Sequence, residues 1–471
     1  MILDGIRCSS GPEEMIESSR IYIDKLSTGS HRSTNWRIFA ALITVGALTF
    51  IVKLIGTLKE MVVAYKFGTA DALDAFFIAF LLPSFAINVI AGSFNAALIP
   101  TFIQVRENKG REAAQRLLSN VMVLSVLLLI VVSAALALTA SYTLPLLGSG
   151  FSDEKLALTR SLFWVLLPVL VINGLSTIWA AIINAGERFA LPALSPMATT
   201  IVIMAALFVM TKIWGIYALA VGTGIGFAVE AGLLAWVLKR QGFSPIPRWY
   251  DLDDQTRQVF NQYAPMAIGA FLMSSTNLVD QTMAAMLGPG SVSALNYGNR
   301  VVAFIVGVGS IALSTAVFPF FSRMVATHDW DGLRGTLKTY AGLILLASVP
   351  LTLIVFALSE PIVSVLFERG AFTKADTSLI GQVQALCVLQ VPFYMLGTLM
   401  VRLISSLQAN QVLMWGAVIN LFLNILLNYL FMQSFGVAGI ALSTSAVYFV
   451  SFCYLLYMLW RVTKNNVYDQ R

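Results

Sequence analysis

The chain has 471 residues, of which 58% are hydrophobic and 11% charged, with a mean hydropathy of +0.80 and a formal net charge of +6. That balance excludes a water-soluble globular protein, and no nucleic-acid partner is expected of it. The cysteines, Cys8, Cys387 and Cys453, have no metal or redox spacing, and His31 and His328 stand in polar segments without other ligand types, so metalloenzyme chemistry is not supported.

The apolar runs reach the roughly 20 residues that a helix needs to cross a bilayer. Lipid offers no partner to free backbone groups, so these runs are expected to be helical; the alternation of a barrel strand is absent. Residues 1–36 are polar and mixed in charge, with no apolar core behind a basic start, and read as a cytoplasmic extension rather than a cleavable signal. The first span is expected from Ile38 to Gly56. Further spans fall near 72–98, 118–145, 159–184, 193–211, 215–238, 259–286, 292–321, 338–358, 379–407, 413–432 and 434–460. The expected class is therefore an all-α integral membrane protein of about twelve transmembrane helices. It divides into a six-helix lobe at 37–240, a linker at 241–258 rich in Pro, charge and aromatics, a second six-helix lobe at 259–460, and a tail at 461–471.

Cations orient the spans. Arg106, Lys109, Arg111 and Arg116 fall on one side with Lys239, Arg240, Arg248 and Arg257, then Arg323, Arg334 and Lys338, then Arg461 and Lys464. The alternate loops are short or poor in cations, which places both termini in the cytoplasm.

The two halves repeat one another. Glu60–Gly68 (EMVVAYKFG) lies over Asp280–Gly288 (DQTMAAMLG), Ala96–Phe102 over Thr315–Phe321 with the proline in register, and Trp214–Thr223 over Phe435–Thr444. All three pairs share an offset of about 220 residues, and an internal repeat that long in a membrane protein points to a transporter built from two halves.

Charges inside spans are costly unless they face protein or water, so each is a candidate site. Lys53, Lys59 and Glu60 share roughly one helix face. Lys59, Glu60, Lys66 and Asp71 could also lie in the interface at the end of the first span, and Lys53 could snorkel outward. A basic face beside an acid suits a phosphate-bearing group. Arg300 lies well inside its span and is expected to bind substrate or gate it, or else to lock two helices through an acid. Glu230 and Arg402 are further charges within spans. Asn420, Asn424 and Asn428 form a stripe that serves either as interhelical glue or, with Asp280 and Thr444, as hard oxygen ligands for Na⁺.

Three segments, FGTADALDAFFIAFLLPSF, SVSALNYGNRVVAF and LFERGAFTKADT, resemble the MurJ/MviN family of lipid II flippases, within the larger MATE-like group of multidrug and oligosaccharide-lipid exporters. The similarity runs from about Thr49 to Leu459. It implies two six-helix lobes around a central cavity that opens alternately to either side of the bacterial inner membrane. It also implies cationic cavity residues that hold the pyrophosphate of a polyprenyl-linked sugar. By position, Lys53 and Lys59 fall where the family has first-span arginines, Asp74 on the acid of its D-A-F-F segment, and Arg300 on the arginine after its Y-A-D-like motif. Glu60 and Arg402 are expected in ion pairing or gating, and the Asp280, Asn424, Asn428 and Thr444 set resembles a sodium site of the family. The chain departs from the pattern in several places. The first-span arginines are lysines, the arginine pair after L-P-N is absent in LPSFAINVIAG, Asn299 replaces the acid before Arg300, and about twelve spans are read where typical members have fourteen.

The expected function is a flippase for lipid II or a related lipid-linked oligosaccharide, driven by membrane potential or by Na⁺ or H⁺, working beside glycan-assembly proteins of the cell envelope. No P-loop or catalytic triad arrangement accompanies it, so an enzyme is not expected. The alternatives are a MATE-type drug/cation antiporter, a flippase for exopolysaccharide or O-antigen carriers, and a non-transporting scaffold.

Overall fold

The computed structural model describes residues 46–186 and 190–468. The N-terminal extension at 1–36, with Cys8 and His31, and the start of the first span lie outside the described residues. Within them the chain is helical: α1 (46–67), α2 (Asp71–Leu147), α3 (Asp153–Ala185), α4 (Ala190–Trp214), α5 (Tyr217–Arg240), α6 (Asp254–Ala285), α7 (Ser291–Ala326), α8 (Trp330–Ala357), the short α9 (Ser359–Phe367), α10 (Lys374–Val388), α11 (Gln390–Ser406) and α12 (Asn410–Tyr468).

Two of these are too long to be single spans. At 1.5 Å per residue the 77 residues of α2 would stretch over about 115 Å against a hydrocarbon core of about 30 Å. The helix breaks at Gly110, where φ is 83°, and α12 breaks at Gly436, where φ is 57°. The chain reverses at Gly436, because a Cβ on Gly439 would collide with the carbonyl of Phe431. With α10 and α11 nearly continuous, the order is six spans in each half. Gly215, with φ 52°, and Gly436 are equivalent glycines of the internal repeat, and both make a left-handed turn between the last two spans of their half. Seven helical stretches, namely α2, α3, α4, α5, α8, α10–α11 and α12, are long and apolar enough to cross a membrane by length and composition.

The first span ends later than expected. Helix α1 runs through Thr57 to Phe67, so Lys59 and Glu60 sit about two turns inside it rather than at its edge. Their charges lower the local hydropathy and disguise the span, and pairing within the protein removes the cost.

The segment joining the halves is strapped to α2 beside the Gly110 break. Asn120 donates to the carbonyl of Asp251 (2.6 Å) and accepts from the Tyr250 N–H (3.0 Å), Gln115 accepts from the Ser244 N–H (2.7 Å), and Arg111 donates to the carbonyl of Gln241 (3.0 Å). Asp253 then caps α6 by accepting from the Thr256 N–H.

On the cation-poor face the two halves close tightly on each other. Ala371 N–H donates to the carbonyl of Tyr65 (2.9 Å), and Thr69 donates to the carboxylate of Asp376. Gly68 has φ 54°, and a Cβ there would come 2.5 Å from the carbonyl oxygen of Ala371. Both the backbone angle and the space require glycine. Gly68→Val is expected to destabilise the protein by about 1–3 kcal/mol and to weaken disulfide crosslinking of the variant Thr69→Cys/Asp376→Cys. Unfolding temperature in detergent and crosslinking yield check both.

Candidate functional site

A pocket of about 230 Å³ lies between α1 and α7, with Thr200 of α4 on its rim. Lys53, Lys59 and Glu60 line it from α1, and Arg300 and Phe304 from α7. Three cations and one carboxylate thus meet at mid-span, and the pocket is net positive.

Its centre is Glu60, which is 4% exposed. Its Oε1 accepts from Lys59 Nζ at 2.8 Å and from Arg300 Nη2 at 2.5 Å. The pair Glu60–Arg300 links the two halves. A carboxylate so buried would carry a desolvation cost of several kcal/mol without these partners. The guanidinium, by contrast, keeps 42% of its side chain exposed. One edge of Arg300 is therefore spent on Glu60 while the remaining donors of its planar fork face the pocket. Lys53 approaches from the next turns of α1, with its stem against α7: a Cβ on Gly307 would come 2.7 Å from Nζ. The absence of a side chain there lets the lysine lie across the helix, and Phe50 packs edge-on to Phe304 beside it (5.5 Å). Lys53 faces the protein interior and not the lipid interface. The arrangement can hold a compact multivalent anion, because cations are preplaced in a medium that screens them weakly.

Asp74 is elsewhere. It is fully buried and caps the start of α7 from α2. Its Oδ2 accepts from the Gly290 N–H (2.7 Å), and its Oδ1 from the Ser293 N–H (2.8 Å) and the Ser293 hydroxyl (2.6 Å). An acid at a helix N-terminus satisfies orphan donors and the macrodipole together. Lys155 Nζ, at 2.9 Å from Asp74 and 2.5 Å from Asp71, completes the cluster. Substrate contact was expected at Asp74, but every oxygen of its carboxylate is occupied by protein and it does not line the pocket; it joins the halves instead. Lys155 was missed. A signal existed: a cation in the first turn of α3, after Asp153 and Glu154, opposes the macrodipole and has to be held by an acid nearby.

Asp280, the repeat counterpart of Glu60, has amide partners instead of cations. Its Oδ1 accepts from Asn424 Nδ2 (2.9 Å) and Asn428 Nδ2 (2.7 Å), which joins α6 to the first part of α12. Thr444 does not join this set through its hydroxyl, which donates to the carbonyl of Ile440 in its own helix. Asn420 of the same stripe donates to Ser451 at 3.0 Å and acts as interhelical glue. Asn424 and Asn428 are buried, and among the described residues the Oδ1 atoms of both have no hydrogen-bond partner. Both amides turn their N–H groups to the half-buried carboxylate, so their Oδ1 atoms would have to swing toward Asp280 to complete a set of hard oxygen ligands for a monovalent cation. Arg402 lies half-buried on α11 and does not line the α1–α7 pocket. Glu230 is buried between α4 and α5, where its carboxylate accepts from Ser195 (2.9 Å) and Thr199 (2.6 Å).

The sequence profile of a family described as "Lipid II flippase MurJ" matches residues 63–470. A protein of Buchnera aphidicola subsp. Baizongia pistaciae named "Probable lipid II flippase MurJ" is 26% identical over 432 residues, covering 89% of this chain and 83% of the relative. Among solved structures, one titled "Lipid II flippase MurJ, inward closed conformation" superposes with a TM-score of 0.77 at 24% identity, covering 88% of this chain and 87% of the other. An inward-facing multidrug resistance MATE family transporter superposes with a TM-score of 0.70 at 13% identity, covering 89% and 98%. These superpositions carry the fold: two six-helix halves of the MATE-like kind.

Glu60→Ala leaves Arg300 and Lys59 without their buried partner. Because both cations keep exposed surface, it is expected to cost about 1.5–3 kcal/mol of stability, the scale of hydrogen bonds to a charged group, read as a drop in unfolding temperature, whereas Lys59→Arg retains the pair and is expected to stay close to the parent protein.

Proposed function

The chain belongs to the lipid II flippase MurJ family, and on that footing we propose that it carries a polyprenyl-pyrophosphate-linked sugar, lipid II or a closely related lipid-linked oligosaccharide, across the bacterial inner membrane by alternating access. The observation that carries the reading is the convergence of Lys53, Lys59 and Arg300 on one mid-span pocket around the buried Glu60. A pyrophosphate presents several anionic oxygens in a compact space. Arg300 offers it directional donors, and the two lysines offer movable point charges. Glu60 sets the position of Arg300 and Lys59 and keeps the empty pocket from carrying three uncompensated cations.

The cation-rich loops, at 106–116, 239–257 and 323–338, support a cytoplasmic position for that face. The Asp74 cap and the Tyr65–Ala371 and Thr69–Asp376 contacts then close the outer side. Transport requires those contacts to break. Alternate opening needs no covalent step.

The driving force is a cation gradient or the membrane potential, which acts with about 2.3 kcal/mol per elementary charge per 100 mV. Asp280, Asn424 and Asn428 would hold Na⁺, with the carboxylate supplying charge and the amide oxygens supplying neutral ligands. A bound Na⁺ would lend a positive charge to the C-terminal half and favour whichever state keeps that site formed. Working partners are the proteins that make and use the lipid-linked glycan.

A MATE-type antiporter for organic cations is the second reading, favoured by the fold alone. The pocket disfavours it, since a cationic drug would meet three like charges.

Purified protein in nanodiscs is expected to bind undecaprenyl pyrophosphate, and Lys53→Ala and Arg300→Ala are each expected to weaken it about 10–100-fold, the loss of a charged hydrogen bond worth about 1.5–3 kcal/mol. Binding unchanged in both variants contradicts the phosphate assignment. Na⁺, compared with the same concentration of choline, is expected to raise the unfolding temperature of the parent protein and not of Asp280→Asn.

A further inference from the structure

A second cleft, of about 250 Å³, opens between α2 and α6. Ser84, Phe85 and Asn88 line it from the N-terminal half, and Ser274 and Asn277 from the C-terminal half. No charged residue is among its lining residues. Asn88 and Asn277 are both exposed, although each lies well inside its helix. Among the described residues, the side chains of Asn88, Ser274 and Asn277 hydrogen-bond to no other protein group. Unpartnered amides facing lipid tails would be costly, so at this depth their place is a water-filled cavity. Phe85 meets Phe271 edge-on at 5.5 Å and gives the cleft an aromatic wall.

The chemistry of the cleft selects its occupant. Each amide brings two donors and two acceptor lone pairs, and the serine hydroxyl of Ser274 both donates and accepts. A phosphate finds no cation here, and a lipid tail would strand the amides. A sugar ring, with hydroxyls that both donate and accept and an apolar C–H face to lay on an aromatic ring, matches all of it. The cleft has room for about eight waters at liquid density, the scale of one sugar ring.

We propose that the α2–α6 cleft is a subsite for an uncharged sugar of the substrate, with Asn88 and Asn277 as its specificity-determining residues, one from each half. The proposal rests on the reading of the α1–α7 pocket as the pyrophosphate site. It divides the substrate between two clefts: charge goes to Lys53, Lys59 and Arg300, and hydroxyls go to the asparagines. Because the two asparagines come from different halves, a bound sugar bridges the elements that must move apart.

The test is binding of three probes to the full chain in nanodiscs: undecaprenyl pyrophosphate, undecaprenyl-pyrophosphate-linked galactose, and lipid II. The parent protein is expected to bind at least one glycan-bearing probe about tenfold or more tightly than undecaprenyl pyrophosphate. Asn88→Leu/Asn277→Leu is expected to abolish that preference while keeping the parent affinity for undecaprenyl pyrophosphate, which also shows that the variant is folded. Asn88→Ala and Asn277→Ala, which only remove atoms, are each expected to lose part of the preference. Lys53→Ala is expected to weaken all three probes alike. Full preference retained in the double leucine variant and in both alanine variants overturns the subsite, as does a parent protein that binds undecaprenyl pyrophosphate and the glycan probes equally. A parent protein that binds none of the three overturns the pyrophosphate reading itself, and the sugar subsite falls with it.

Discussion

A buried carboxylate that must be neutralised is the constraint on which the centre of this molecule depends. Glu60 sits inside a membrane span at 4% exposure, and Lys59 and Arg300 neutralise it from the two halves of the protein. Neither cation could be placed at that depth in lipid without a similar cost. The three charges therefore license one another, and together they hold a net positive pocket at the seam between the halves. Arg300 has more donors than Glu60 can accept, so the pocket keeps donors to spare.

The same logic, with different chemistry, recurs at the two other polar clusters that join helices. Asp74 is neutralised by Lys155 and by the N-terminus of α7, a set that leaves no oxygen spare and therefore acts as a fastening. Asp280 stands where the repeat puts the counterpart of Glu60, but two asparagines replace the cations and donate their N–H groups to it. One duplicated position thus holds a carboxylate paired with cations in one half and with amides in the other. Divergence after duplication has changed the partner, not the location.

Much of the architecture was legible in the sequence. Apolar run lengths and the repeat of about 220 residues gave the helical class and six spans per half, and the glycine turns at Gly215 and Gly436 fall in register. The grouping of Lys53 with Lys59, Glu60 and Arg300 could be anticipated, because charges deep in spans must find one another. What escaped the sequence was set by tertiary pairing. The first span continues past Gly56 because Glu60 is paired across to α7, which no local hydropathy reveals. Asp74 resembled a cavity acid by position, yet its role is fixed by the start of a helix more than two hundred residues away. The unpartnered asparagines of the α2–α6 cleft likewise become visible only when the two halves are brought together.

The most direct test of the central claim is lipid II translocation in intact bacteria depleted of their own lipid II flippase and expressing this chain. The account predicts that the chain restores outward translocation and growth, and that Arg300→Ala at equal membrane abundance does not. Restoration by Arg300→Ala and Lys53→Ala as fully as by the parent chain would contradict it, because the anion site at the seam would then be dispensable.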